Sequence, residues 1–132
     1  MEGGQTNEFR PLILVAEDDD SNFKLIKAII GRNVIYSGPR NGEEIVALFK
    51  EYGNEAKAIL MDIKMPVMNG LDATKIIRGE NKEIPIIMQT AYAFSSDKEN
   101  AMNAGASEVL VKPITLSILR NTLTKYFPEL VW

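Results

Sequence analysis

Four short, almost wholly apolar runs recur along the chain: Leu12–Ala16, Ala58–Met61, Ile84–Met88 and Val109–Val111. None alternates apolar with polar residues, as a strand with one wet face does. Continuous runs of this length suit strands buried on both faces. A shorter run, Val34–Tyr36, reads as an edge strand. Between the runs, apolar residues recur at helical spacing. Phe23, Leu25, Ile26, Ile29 and Ile30 form one set, and Ile45, Leu48, Phe49 and Tyr52 a second. Leu116, Leu119, Leu123 and Phe127 form a third, stopped by Pro128. Asn41 with Glu44, and Ser96 with Glu99, have capping-box spacing, and Asn69-Gly70 opens a segment through Arg78. Strand and helix thus alternate five times with short connections. This predicts an α/β fold, a parallel sheet with helices on both faces. The helix expected over 95–104 has only Ala101, Met102 and Ala104 to bury, so it is expected to be the least stable element.

The polar residues at the end of each run narrow the chemistry. Leu12–Ala16 leads into Glu17-Asp18-Asp19-Asp20, and Ala58–Met61 into Asp62. Ile84–Met88 leads into Gln89-Thr90, and Val109–Val111 into Lys112-Pro113. The carboxyl ends of a parallel sheet share one edge, where ligands bind. Carboxylates, a hydroxyl and an ammonium therefore converge from four strands. Two carboxylates about 5 Å apart repel by roughly 3 kcal/mol at an effective dielectric near 20. Glu17, Asp18 and Asp62 together need cations: Lys112 supplies one charge, and a divalent ion is the natural second. Taken singly these residues have plainer readings. Asp19, Asp20 or Ser21 can simply cap the next helix, Asp62 can be a turn residue, and Lys112 a solvated surface lysine. Joint placement at four strand ends favours the functional reading: the parts of a phosphoryl-transfer site with a carboxylate nucleophile.

Composition removes competitors. The 132 residues suit one domain, and they include no histidine and no cysteine. Disulfides, thiol nucleophiles, imidazole bases and soft metal sites are thereby excluded. Any metal must be a hard cation on oxygen, Mg²⁺ or alternatively Mn²⁺. A net charge of −3 argues against nucleic-acid binding. No apolar run approaches the ~20 residues of a bilayer span, and residues 1–10 lack a signal-peptide core. The expectation is a cytoplasmic domain without membrane contact: leader 1–10, domain 11–128 and tail 129–132.

The segments Ile13–Asp18 (ILVAED), Met61–Gly70 (MDIKMPVMNG), Pro85–Ala91 (PIIMQTA) and Gly105–Pro113, in this order and spacing, resemble the receiver domain of two-component response regulators. The likeness covers Leu12 to Phe127 and is greatest to receivers of hybrid sensor histidine kinases. It implies a flavodoxin-like (βα)5 three-layer sandwich, with a five-stranded parallel sheet in the order 2-1-3-4-5. It also implies a role for each site residue. Asp62 would be the phosphoacceptor, Thr90 the switch hydroxyl and Lys112 the site lysine, with a cis Lys112–Pro113 peptide. Glu17, Asp18, Asp62 and the Lys64 backbone carbonyl would hold Mg²⁺. The partner would be a histidine kinase or histidine phosphotransfer domain acting in trans, since this chain has no histidine of its own. Such a domain catalyses its own phosphorylation and slow dephosphorylation. It can stand alone or be part of a longer hybrid kinase.

Two departures stand out. Val109 occupies the position three before the lysine where the family usually has an aromatic. Tyr92, two residues past Thr90, is expected either to cover Asp62 with the Lys64 side chain or simply to pack on a neighbour. Other classes fit less well. A haloacid-dehalogenase-type phosphatase needs a second Asp at the Lys64 position, and a flavodoxin-like cofactor binder would not place four acidic residues where phosphate docks. The remaining alternative is a degenerate receiver that binds protein without phosphorylation.

Overall fold

The computed structural model describes residues 10–31, 41–53, 55–91, 96–130 and 132. Among the described residues are four strands, β1 (Leu12–Ala16), β2 (Ala56–Asp62), β3 (Ile86–Thr90) and β4 (Glu108–Val111), and five helices. The helices are α1 (Asp20–Ile30), α2 (Gly42–Tyr52), α3 (Gly70–Glu80), α4 (Asp97–Ala104) and α5 (Leu116–Tyr126). All strand pairs are parallel, in the order β1-β2-β3-β4. The expected edge strand Val34–Tyr36 lies outside the described residues, so a fifth strand and the full order 2-1-3-4-5 rest on residues beyond that set. Among the described residues no helix is long and apolar enough to cross a membrane.

Strand alternation sorts the core into two layers. Ile13, Val15, Ala58, Leu60, Ile87 and Leu110 meet Phe23 and Ile26 of α1 and Leu119 and Leu123 of α5. Leu14, Ala16, Ile59, Met61, Ile86 and Met88 meet Ile45 and Phe49 of α2, Ala73 and Ile77 of α3, and Ala101 of α4. The central strands are buried on both faces, as their unbroken apolar runs require. The strand at Val109–Val111 departs from that expectation. Among the described residues β4 pairs only with β3, and Val109 is half-buried and Val111 40% exposed.

Helix starts follow the caps with one exception. The side chains of Asp19, Asn41, Asn69 and Thr115 each accept a backbone N–H from the first turn of their helices. Ser96 does not. Its backbone is already helical (φ −69°, ψ −5°), whereas a capping side chain needs an extended residue to reach back to the first turn. The expected Ser96–Glu99 box is therefore not formed. Leu25, Leu116 and Met102, read as apolar-face residues, are exposed, and α4 buries only Ala101 and Ala104.

Candidate functional site

Asp62 and Thr90 are the last residues of β2 and β3 and lie within the strands. Period-2 alternation puts Asp62 on the α1/α5 side with Ala58 and Leu60, and Gln89 beside it in register. Thr90 falls on the other side with Ile86 and Met88. The loop after Asp62 is held at both ends. The Ile63 N–H donates to the Gln89 carbonyl at 3.0 Å, and the Gly70 N–H to the Ile63 carbonyl at 2.7 Å. Between these anchors the chain makes a tight turn, Met68 N–H to Pro66 carbonyl at 2.7 Å, with Val67 at φ 68°. A β-branched residue with positive φ is held there by its surroundings rather than by its own preference. The loop also carries the Lys64 carbonyl.

Glu17, Asp18 and Asp62 each offer a carboxylate oxygen, all within 4.8 Å of one another. Glu17 and Asp62 are buried, and Asp18 is the most open of the three. The Lys112 ammonium lies 2.7 Å from Asp62 Oδ2 and about 3.4 Å from Glu17. It is positioned by the turn after β4, where the Lys112–Pro113 peptide is cis and the Lys112 N–H donates to the Thr90 carbonyl. Glu17 further accepts the Asp19 N–H at 3.1 Å and the Asn22 side-chain amide at 2.5 Å. Thr90 donates its hydroxyl to Asp97 Oδ2 at 3.2 Å, at the start of α4. The structure thus brings Glu17, Asp18, Asp62 and Lys112 together, with Thr90 bonded toward α4. Tyr92 lies outside the described residues. Val109 packs as a half-buried aliphatic against the α2/α3 layer.

Burial is the main cause that pushes the Glu17 carboxyl up to about 7. The Asn22 hydrogen bond opposes this and the charge of Asp62 adds to it. For Lys112, burial works against the charged form, but the hydrogen bond and charge of Asp62 and the charge of Glu17 outweigh it and hold the ammonium above its ordinary range. Lys112 pairs with Asp62 and Glu17, and burial keeps Glu17 readily protonated. This all-oxygen donor set, two of its three carboxylates buried, fits a hard divalent cation.

A carboxyl raised from 4.5 to about 7 on folding stabilises the metal-free protein fully below its unfolded pKa. That contribution is lost as pH rises through the folded value. Chelated protein is therefore expected to lose thermal stability between about pH 5 and pH 8, by at most about 3 kcal/mol from this group. Glu17→Gln should remove that part of the slope. Parallel pH profiles for the parent and Glu17→Gln would contradict the assignment.

Comparison with known proteins identifies the family. The profile "Response regulator receiver domain" matches residues 13–124. The chain belongs to the response regulator receiver family. The receiver is 35% identical over 129 residues to hybrid signal transduction histidine kinase I of Dictyostelium discoideum, covering 89% of this chain and 7% of the kinase. It superposes on the receiver domain of the sensor histidine kinase PA1611 of Pseudomonas aeruginosa, which has magnesium coordinated in its active-site cleft. The TM-score is 0.80 and the identity 30%, over 89% of this chain and 98% of that one. It also matches the structure of the Saccharomyces cerevisiae phosphotransfer protein Ypd1 with the receiver of its response regulator Ssk1. There the TM-score is 0.79 and the identity 27%, over 89% and 88% of the two chains. The fold is the flavodoxin-like α/β fold of receivers.

Three site neighbours lie outside the expected site residues. Asn22 and Asp97 bond to the expected site residues Glu17 and Thr90, and Gln89 bonds to Asn22. Gln89 does carry a signal, a carboxamide in a strand where Ile87, on the same face, is apolar. Asn22 and Asp97 sit in first helical turns, where polar residues are ordinary and attract no notice.

Proposed function

We propose that this receiver takes up a phosphoryl group on Asp62 from a phosphohistidine donor acting in trans, in a Mg²⁺-dependent reaction, and thereby switches a partner surface. The observation that carries the reading is Asp62 itself. It is a buried carboxylate 2.7 Å from the Lys112 ammonium and within 4.8 Å of two further carboxylates. An Asp62 oxygen attacks phosphorus, the P–N bond to imidazole breaks with its electron pair going to the ring nitrogen, and that nitrogen takes a proton from solvent as it leaves. Lys112 offsets the charge gathering on the phosphoryl oxygens. Glu17, Asp18, Asp62 and the Lys64 carbonyl would hold Mg²⁺, which neutralises phosphoryl oxygens when bound. Magnesium in the cleft of the Pseudomonas receiver and the phosphotransfer partner of the yeast receiver support the ion and the donor class. A cytoplasmic location accords with the same reading, because the donor has to be phosphorylated from nucleotide.

Intact mass after incubation with acetyl phosphate tests the reading. One added phosphoryl group with Mg²⁺, and none after chelation, is expected. A chain that takes up none from acetyl phosphate or from a phosphorylated phosphotransfer domain overturns it and favours the degenerate reading.

In this reading Thr90 turns its hydroxyl to the phosphoryl group, and its bond to Asp97 competes with that movement. A hydrogen bond to a charged acceptor contributes about 1.5–3 kcal/mol before any replacement partner is counted. Asp97→Ala is expected to speed phosphoryl uptake several-fold and to lower amide protection at the start of α4. Unchanged uptake would show that the bond does not restrain Thr90.

A further inference from the structure

Gln89 is fully buried in β3, in the row that holds Asp62 on β2 and Leu110 on β4. A leucine would pack there as well. Its carboxamide instead makes one side-chain bond: Oε1 accepts from Asn22 Nδ2 at 3.1 Å. Gln89 Nε2 is buried with no partner among the described residues, an arrangement that costs about 1–3 kcal/mol. Asn22 Nδ2 has two hydrogens, and the second goes to Glu17 Oε1 at 2.5 Å. Two acceptors on one amide nitrogen decide which way the Asn22 side chain faces. Turned over, its carbonyl oxygen would confront both Gln89 Oε1 and the Glu17 carboxylate. With Gln89 Oε1 facing it, Asn22 gains a second acceptor that holds its donor edge toward Glu17.

We propose that Gln89 and Asn22 are positioning residues for the metal-facing carboxylate, with Gln89 acting through Asn22 to fix the orientation of Glu17. The bridge spans 67 residues of sequence and ties the strand that ends in Thr90 to the first turn of α1. Outer groups that orient a metal ligand typically contribute 10–100-fold to metal affinity. The inference rests on reading Glu17, Asp18 and Asp62 as a Mg²⁺ site.

Calorimetric Mg²⁺ titration of the full chain tests it, together with thermal unfolding in chelator. Asn22→Ala is expected to weaken Mg²⁺ binding roughly tenfold, and Gln89→Leu by a smaller factor, while Gln89→Leu unfolds no earlier than the parent because it removes an unpartnered buried amide. In the Asn22→Ala background, Gln89→Leu should weaken binding no further. A Gln89 that merely packs would change stability and leave the affinity alone. Parent-like affinity in Gln89→Leu, or fold-changes that multiply in the double variant, overturns the inference and leaves the Mg²⁺ reading intact. Absence of Mg²⁺ binding by the parent overturns both. Gln89→Met, which keeps the length and loses the amide, replaces leucine if the row is disturbed.

Discussion

Asp62→Asn is expected to abolish phosphoryl uptake from both acetyl phosphate and a phosphohistidine donor, with no residual Mg²⁺-dependent incorporation. An amide has no anionic oxygen to attack phosphorus, so the loss is chemical rather than graded. Folding should survive. At an effective dielectric near 20, repulsion from each charged carboxylate within 4.8 Å is about 3 kcal/mol or more, and attraction to an ammonium at 2.7 Å is about 6 kcal/mol. Removing the Asp62 charge removes both contributions, and they offset closely. The substituted protein should keep a native circular dichroism spectrum and an unfolding midpoint near the parent's. Mg²⁺ should bind more weakly, since one of three carboxylates is gone. Persistent uptake in Asp62→Asn would move the acceptor to another residue.

Gly70→Ala carries the largest expected effect on stability. The first turn of α3 sits directly on the backbone that bears the nucleophile. A Cβ on Gly70 would collide with the Asp62 carbonyl oxygen, stand 2.6 Å from Met88 Cε and 3.1 Å from Ile63 Cα. Met88 can move, but the strand cannot, because β2 is paired on both sides. Overpacking of this kind costs about 3 kcal/mol, which for a domain of this size lowers the unfolding midpoint by roughly 10 °C. The shift should also displace Asp62 relative to Lys112 and slow phosphoryl uptake in whatever protein remains folded. Gly79 in the same helix is the control. Its Cβ would meet nothing within 4 Å, so Gly79→Ala should stabilise by roughly 0.5–1 kcal/mol through the ordinary helical preference. Equal effects at the two positions would mean that α3 does not brace β2.

These two substitutions mark where sequence reading works and where it stops. The alternation of apolar runs with helical spacings is a local property of the chain. It gives the strand–helix order and the shared edge to which Glu17, Asp18, Asp62 and Lys112 are brought. Capping works the same way, and Asn41 and Asn69 do what their spacing suggests. Failures arise where a neighbour distant in sequence, or the local backbone turn, decides the outcome. Val111 is exposed because no described strand pairs beyond β4, and Ser96 cannot cap because its backbone has already turned into the helix. The Asn22–Gln89 bridge and the Thr90–Asp97 bond depend on a side chain meeting another element at one point, which no periodicity encodes. Even so, a glutamine in a buried strand row is a legible demand for a partner.

Chemical trapping shows directly whether Asp62 receives the phosphoryl group. Borohydride reduction converts an aspartyl phosphate to homoserine, and peptide mass mapping then locates it. Homoserine confined to the peptide carrying Asp62, and appearing only after treatment with Mg²⁺ and a phosphoryl donor, is the predicted result. Homoserine at Asp18 or Asp19, or none in a parent chain exposed to both donors, would contradict it.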